Sequence, residues 1–134
     1  MERVLRSQSD YKQTMLRNQL TSLLLYEAIT TTRAKAKALL PFANRFLTRT
    51  KVGGLNAQKL AHQLLLDKNA VKKLFEDILP RFSPEDSNYL RSISAGFRSG
   101  DSAEMAVVAL LKSAKPVVAP KTPATKEAKT KAKK

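Results

Sequence analysis

The chain has 134 residues, with 25 Lys and Arg against 11 Asp and Glu, so its formal net charge is +14. It contains no cysteine, which excludes disulfide frameworks, thiol nucleophiles and thiolate metal sites, and no apolar run approaches the roughly 20 residues of a membrane span. A balance this basic favours a polyanionic partner, either nucleic acid or an anionic membrane surface.

The first two predicted elements are a helix at about Ser9–Tyr26 and a short strand at Ala28–Thr32. The helix is predicted because apolar residues recur at helical spacing, and Ser9 is its expected N-cap. Its apolar stripe consists of four leucines, Leu16, Leu20, Leu23 and Leu24. The strand is predicted because a run of β-branched residues is typical of strands, and it leads directly into the next helix.

A second helix is predicted at about Arg33–Thr50, with Pro41 in its interior. Because proline has no N–H and clashes with the preceding turn, we expect a kink or a break near Leu40. The paired glycines of "KVGGL" suit a left-handed cap and turn, so they should end this helix.

Two further helices are predicted at about Asn56–Leu66 and about Asn69–Leu79, each with an apolar stripe at helical spacing. The stripes are Leu60, Ala61, Leu64 and Leu65 in the third helix, and Val71, Leu74, Phe75 and Ile78 in the fourth. Pro80 is expected to end the fourth helix.

The hydrophobic period changes in "YLRSISAGFR", where Ile93, Ala95 and Phe97 alternate with small residues. A period of two predicts a half-buried strand with these three side chains on one face. Turn residues at Ser99–Ser102 and the apolar run Ala103–Leu111 complete a predicted hairpin. This hairpin could pair with the first predicted strand in a small sheet.

These elements predict a two-layer α+β fold, with about four helices packed on a small sheet of about three strands. Residues 1–111 should form one domain, because a chain of this length can bury a real core. Residues 112–134 are rich in Lys, Ala and Pro and hold eight lysines and one acid. Such a segment cannot bury enough apolar surface to fold, so we expect a disordered basic tail.

The sequence offers no catalytic or metal-binding constellation. His62 is the only histidine and is interpreted as solvated, because no cysteine or second histidine accompanies it. The few glycines lack the spacing of a phosphate-binding loop. The acids are interpreted as a solvated patch facing away from phosphate, comprising Glu76, Asp77, Glu85 and Asp86. We therefore expect no enzyme activity, cofactor, metal or small-molecule substrate.

The strongest functional signal is the cation cluster Arg33, Lys35 and Lys37, which alternates with alanines where the second helix begins. If Thr31 or Thr32 caps that helix, the cations lie near the positive end of its dipole. Arg33 and Lys37 are also like-charged neighbours at i and i+4. The interaction with the dipole and the like-charge repulsion are both unfavourable in water, and an anion at the site would make the arrangement favourable. This indicates a nucleic-acid phosphate as partner.

Other cations extend this candidate RNA-binding set along the chain. Four precede or open the first helix, Arg3, Arg6, Lys12 and Arg17, and two bracket the later strand, Arg91 and Arg98. The three tyrosines are far apart, and no tryptophan or RNA-recognition signature occurs. Contact to the phosphates and sugars of folded RNA therefore suits the sequence better than base-specific readout.

Two other binding classes are open alternatives at this point. The Lys/Ala/Pro tail would also suit a nucleoid-associated or regulatory DNA-binding protein. An anionic-membrane binder would need a helix with one strongly basic face, whereas the polar side of the first helix is mostly Gln, Thr and Ser.

Three long stretches closely resemble the bacterial-type large-subunit ribosomal protein seventeen family. They are "MLRNQLTSLLLYEAITTTRAKAKALLPFANRFLTRTK" (Met15–Lys51), "DKNAVKKLFEDILPRF" (Asp67–Phe82) and "GFRSGDSAEMAVVAL" (Gly96–Leu110). The resemblance covers roughly Lys12–Leu111. It implies a small α+β domain that contacts large-subunit rRNA and neighbouring ribosomal proteins near the peptide exit region. It also implies a structural role in assembly and a cytoplasmic location in the ribosome.

The resemblance also carries over individual residues. Met15 to Asn18 match the opening of the family's first helix, which adds Asn18 to the candidate RNA-binding residues. The family's leader of arginine, lysine and histidine has no match in "MERVLRSQSDYK", so contacts from it are not carried over. The loop "SPEDSN" is more acidic than in the family, and Glu104 stands where proline is common.

Overall fold

A computed structural model describes residues 8–83 and 85–111 of the chain. Its helices are α1 (Gln8–Tyr26), α2 (Arg33–Lys51), α3 (Gly54–Leu64) and α4 (Lys68–Lys73), and its strands are β1 (Ala28–Thr32), β2 (Leu90–Phe97) and β3 (Glu104–Leu110). A π-helical turn at Leu74–Ile78 and a 3-10 turn at Leu79–Arg81 extend α4. The predicted α+β class is confirmed, while the expected tail at 112–134 lies outside the described residues.

The three strands form one antiparallel sheet in the order β1-β3-β2. In the register, Val108 of the central strand stands between Ile29 of β1 and Ser92 of β2. Helices α1 and α2 pack against the sheet, whereas α3 and α4 pack mainly against other helices. The result is the expected two-layer domain, with the last strand in the chain at the centre of its sheet.

The core lies between the sheet and the helices. The four leucines of the predicted α1 stripe are all buried, and so are Leu39 and Leu47 of α2. Alternate residues of β3 complete the cluster, namely Ala106, Val108 and Leu110. Val107 and Ala109 are buried but stand outside this cluster, so they mark the other face of the sheet. Among the described residues, no helix has the length and apolar character needed to cross a bilayer.

Of the kink or break expected near Leu40, the break does not occur, because α2 continues from Arg33 to Lys51 with Pro41 inside it. Pro41 is exposed, so the Lys37 carbonyl that loses its helical partner faces solvent and can be hydrated. Buried side chains on both sides of the proline, Leu39 and Ala43, hold the two halves against the core. Tertiary burial therefore outweighs one missing helical hydrogen bond.

Other predicted boundaries differ by smaller amounts. Ser9 lies within α1, whose first described residue is Gln8, instead of capping the helix. Helix α3 begins and ends two positions earlier than expected. The fourth helix is regular only as far as Lys73, and Leu74–Ile78 widen into the π-helical turn while Val71, Leu74 and Ile78 remain buried as predicted.

The prediction that Ile93, Ala95 and Phe97 share one face of β2 is wrong. Ile93 is 45% exposed and Phe97 is 72% exposed. The pairing also shifts between Ser94 and Phe97, where Gly96 adopts a φ of 82°. Ile93 pairs with Val107, whereas Phe97 pairs with Glu104, three positions away on β3. Because successive residues of a strand point to opposite faces, this bulge places Ile93 and Phe97 on opposite faces of the sheet.

A buried ion cluster fixes the junction between α1 and β1. Glu27 has a φ of 65°, and its side chain is only 7% exposed. Its carboxylate accepts hydrogen bonds from Arg81 Nη1 at 3.0 Å and Nη2 at 3.3 Å, and Lys73 Nζ lies 3.2 Å away. Its carbonyl oxygen accepts from the N–H of Leu110 at 3.0 Å. Glu27 therefore joins the sheet to the fourth helix and sets the position from which β1 starts.

Candidate nucleic-acid interface

Strand β1 passes into α2 without an intervening loop, and this junction presents the cation cluster. Thr32 is the N-cap residue, with φ −70° and ψ 148°, so one of the two predicted cap positions is confirmed. Its side chain makes no capping hydrogen bond, while the hydroxyl of Thr31 accepts one from Gln19 Nε2 at 3.1 Å. The first N–H groups of α2 therefore receive no side-chain acceptor from Thr32.

Arg33 has an acidic partner that its sequence neighbourhood does not reveal. Its Nη1 lies 2.6 Å from Oε2 of Glu104, at the start of β3. The hydrogen bond and the negative charge of Glu104 raise the pKa of Arg33 above its usual value. The two side chains are 73% and 51% exposed, and ion pairs of this exposure contribute little to stability. Arg33 is therefore held in place but can still meet a phosphate.

Lys35 and Lys37 are exposed and form no ion pair within the part of the chain that the structure describes. Ala36, between them, is buried against the core, which orients the helix so that its lysines reach solvent. An open groove of about 520 Å³ runs along this end of the domain. It is lined by Thr32, Arg33, Ala34, Lys37, Ala103 and Glu104.

The turn between β2 and β3 carries a second exposed ion pair, in which Nε and Nη2 of Arg98 each donate to an oxygen of the Asp101 carboxylate. Together with an N–H donated by Ala103, the Arg98 guanidinium lowers the pKa of Asp101 from its ordinary value of 3.8 to about 2. The backbone of the turn closes as well, because the N–H of Arg98 donates to the Ala103 carbonyl at 2.9 Å. The turn is thus held rigidly beside Glu104.

Arg17 has a structural task that the sequence did not predict. Its Nε donates to the carbonyl oxygen of Leu64 at 2.9 Å, and its Nη2 donates to that of Gln63 at 2.6 Å. These carbonyls end α3, where helical partners are missing. The acceptors are backbone atoms far along the chain, so no residue pattern could have indicated them.

The remaining predicted site residues are dispersed. Lys12 is exposed on α1, and Asn18 lines a groove of about 400 Å³ with Thr30 and Thr31. Arg91 is exposed near the start of β2, opposite Ala109, and Arg98 follows the end of that strand. At about 3.3 Å per residue the two arginines stand roughly 20 Å apart, so they do not form one basic face. Arg3 and Arg6 lie outside the described residues.

The cation cluster, its groove and the hairpin turn lie in a segment shared with known ribosomal proteins. Residues 15–111 match the family model described as Ribosomal protein L17. The chain is 44% identical over 103 residues to the large ribosomal subunit protein bL17 of Caldanaerobacter subterraneus subsp. tengcongensis, covering 77% of this chain and 92% of that protein.

Two further relatives carry the same name. The protein of Thermodesulfovibrio yellowstonii is 44% identical over 108 residues, covering 81% of each chain. That of Erythrobacter litoralis is 38% identical over 110 residues, covering 82% of this chain and 79% of that protein. The match spans most of the described fold in each case, and the resemblance noted from the sequence is confirmed. The chain therefore belongs to the ribosomal protein L17 family, which is not an enzyme class.

Proposed function

We propose that this protein is a structural component of the bacterial large ribosomal subunit that binds large-subunit rRNA through phosphate and sugar contacts. It supports subunit assembly near the peptide exit region, in the cytoplasm, beside neighbouring ribosomal proteins. Residues 1–111 act as the folded domain and residues 112–134 as its basic tail. The observation that carries the proposal is the exposed cation cluster Arg33, Lys35 and Lys37 at the β1–α2 junction.

The three cations suit phosphate because their positions are fixed by the fold while their charges stay in solvent. Ala36 is buried and sets the rotation of α2, and Glu104 holds Arg33. Because α2 already orders the backbone that carries the cations, only side-chain freedom is lost when an anion binds. Such contacts fix orientation on RNA but carry no base identity, so the cluster serves to position the protein.

Residues beyond the cluster are also proposed to contact RNA. They are Arg3, Arg6, Lys12, Asn18, Arg91 and Arg98. Arg17 contributes by holding the end of α3, and its guanidinium is less free to reach phosphate than the lysines of α2.

Binding to large-subunit rRNA from the same bacterium tests the role of the cluster directly. The variant Lys35→Gln/Lys37→Gln removes two charges that form no ion pair among the described residues, so folding should be unaffected. Its affinity should fall, and the slope of log affinity against log salt should flatten by about 1 to 2 units, since each lost phosphate contact contributes about 0.7–0.9.

The matched control is Lys59→Gln/Lys68→Gln, which removes the same charge from exposed positions on α3 and α4. It should change the slope less, because neither lysine lines the groove beside Arg33 and Lys37. Equal effects of the two pairs would contradict a localised site. Sucrose-gradient fractionation tests the function as a whole, since the protein should travel with large subunits and leave only at high salt. Retention on nucleoids after RNase treatment would favour the DNA-binding alternative instead.

A further inference from the structure

The bulge at Gly96 places Phe97 on the same face of the sheet as Glu104, the partner of Arg33. On β3, Glu104 shares the face of Ala106 and Val108, which belong to the core beneath the helices. Phe97 pairs with Glu104 across the strands, so its side chain leaves the sheet on that same face. Glu104 in turn holds Arg33 at 2.6 Å. Phe97 and Arg33 are therefore both neighbours of Glu104.

Phe97 is too exposed for a core residue at this position. It is 72% exposed, although the hairpin around it is fixed by the paired Arg98 and Asp101. Adding a Cβ to Gly96 would meet nothing within 4 Å, so neighbouring packing does not explain why glycine stands there. What glycine does provide is the positive φ of the bulge, which re-aims Phe97.

We propose that Phe97 stacks on an unpaired nucleobase of the rRNA whose phosphates contact Arg33 and Lys37. This inference rests on the proposed function and extends it, since it adds a base-contacting residue to a site otherwise built for phosphate. An exposed aromatic ring beside a groove lined by cations is the arrangement by which proteins hold single-stranded nucleic acid. Stacking is tolerant of sequence, because every base offers a π-face, so it does not require base-specific readout.

The surrounding charges favour a nucleic acid over a protein at this ring. Arg33 and Lys37 line the adjacent groove, and Lys35 is exposed on the same helix. Glu104, which stands opposite Phe97 on β3, is paired with Arg33, and Asp101 in the adjacent turn is paired with Arg98. A protein partner of Phe97 would have to bring acids for the lysines, whereas an RNA strand supplies phosphate and base from one nucleotide to the next.

Binding of the full chain to large-subunit rRNA tests this with Phe97→Leu. The leucine keeps an apolar side chain but removes the ring, so rRNA affinity should fall about 10-fold while the salt slope stays unchanged. Phe97→Tyr should retain the affinity. The variant Lys35→Gln/Lys37→Gln should show the opposite signature, a flatter slope, because it removes phosphate contacts. Equal melting temperatures will show that each variant is folded.

A fluorescence experiment locates the contact. The chain has no tryptophan, so Phe97→Trp introduces a single indole whose emission stacking on a base should quench. The control is Leu66→Trp, which is similarly exposed at 61% but lies between α3 and α4, away from the sheet. Naked rRNA should quench the tryptophan at position 97 and leave the one at position 66 bright.

The outcomes separate the two proposals. If the wild-type protein fails to bind rRNA, the proposed function itself is wrong. If the wild type binds but Phe97→Leu binds equally well and Phe97→Trp is not quenched, only the stacking proposal is overturned. Emission that changes only after assembly with the other ribosomal proteins would identify a protein contact and would also overturn it.

Discussion

The two ends of β1 carry carboxylate–guanidinium pairs of the same chemistry in opposite surroundings. At its start, Glu27 is 7% exposed and is held by Arg81 and Lys73. Just beyond its end, Arg33 is 73% exposed and is held by Glu104. Five strand residues separate the two sites. One pair lies within the packed interior, and the other faces solvent beside an open groove.

Burial decides what each pair contributes. A carboxylate taken out of water requires its cations, so losing one partner leaves an uncompensated charge. A solvated pair loses little when it is broken, because water and salt replace the partner. The Glu27 cluster thus maintains the fold, whereas the Arg33 pair can exchange Glu104 for a phosphate. Sequence composition alone treats the two pairs alike.

The largest expected effect comes from Glu27→Gln, which leaves Lys73 and Arg81 partly buried without their counter-charge. The free energy of unfolding should fall by about 3 kcal/mol, as for other broken buried pairs. Urea denaturation followed by circular dichroism measures this loss.

Two controls test the comparison. Glu27→Gly relieves the positive φ but removes the carboxylate, so it should remain strongly destabilised if charge is the cause. Glu104→Gln should change the free energy of unfolding by less than about 0.5 kcal/mol. Similar losses for Glu27→Gln and Glu104→Gln would remove the distinction between the two pairs.

The second prediction concerns the backbone conformation of the bulge in β2, where no charge is involved. Gly96 has a φ of 82°, and its missing Cβ would meet open space. Gly96→Ala should therefore lower the free energy of unfolding by about 1–2 kcal/mol through left-handed strain alone. Ser92→Ala, at an exposed position of the same strand, is the control and should be close to neutral. An unchanged stability for Gly96→Ala would show that the bulge relaxes without cost.

The third prediction concerns the exchangeable pair. Glu104→Gln removes the charge that competes with phosphate for Arg33, so rRNA affinity should rise about 2- to 5-fold near 0.1 M salt. A filter-binding titration measures the change. Glu76→Gln is the matched control, because Glu76 is exposed, does not line the groove beside Arg33 and forms no ion pair among the described residues. A fall in affinity for Glu104→Gln would mean that the carboxylate is needed to orient Arg33.

The smallest expected effect is the loss of stability at low pH that comes from the Arg98–Asp101 pair in the turn between β2 and β3. The pKa of Asp101 lies at about 2 in the folded chain, below its ordinary value of 3.8. Its stabilising contribution is therefore complete above pH 4 and is lost as the pH falls through about 2. A carbon-13 NMR titration of the Asp101 carboxyl group measures this directly. In Arg98→Gln the pKa should return toward 3.8, and no change would contradict the guanidinium as cause.

Local patterns sufficed for much of the fold. The run of β-branched residues predicted the bounds of β1 correctly, and the leucines of α1 are buried as predicted. The cation cluster was also predictable, because its three charges and the strand before it are contiguous in sequence.

The remaining features depend on contacts between distant residues. Pro41 reads locally as a helix breaker, yet burial of Leu39 and Ala43 keeps α2 continuous. The partners of Arg17 are backbone carbonyls 46 and 47 positions away, and the partner of Arg33 is 71 positions away. The alternation in β2 indicated a strand correctly, but one inserted residue at the bulge reversed the face on which Phe97 lies.

The strand order has a consequence for how the chain folds as it is synthesised. Both outer strands, β1 and β2, pair only with β3, and β3 follows every other described element along the chain. Until β3 has emerged, β1 and β2 each lack a hydrogen-bonding neighbour. The sheet therefore depends on late closure of a long loop and should form after the helices, which need only local contacts. A nascent chain halted before Glu104 would expose two unpaired strands, and such intermediates aggregate or recruit chaperones.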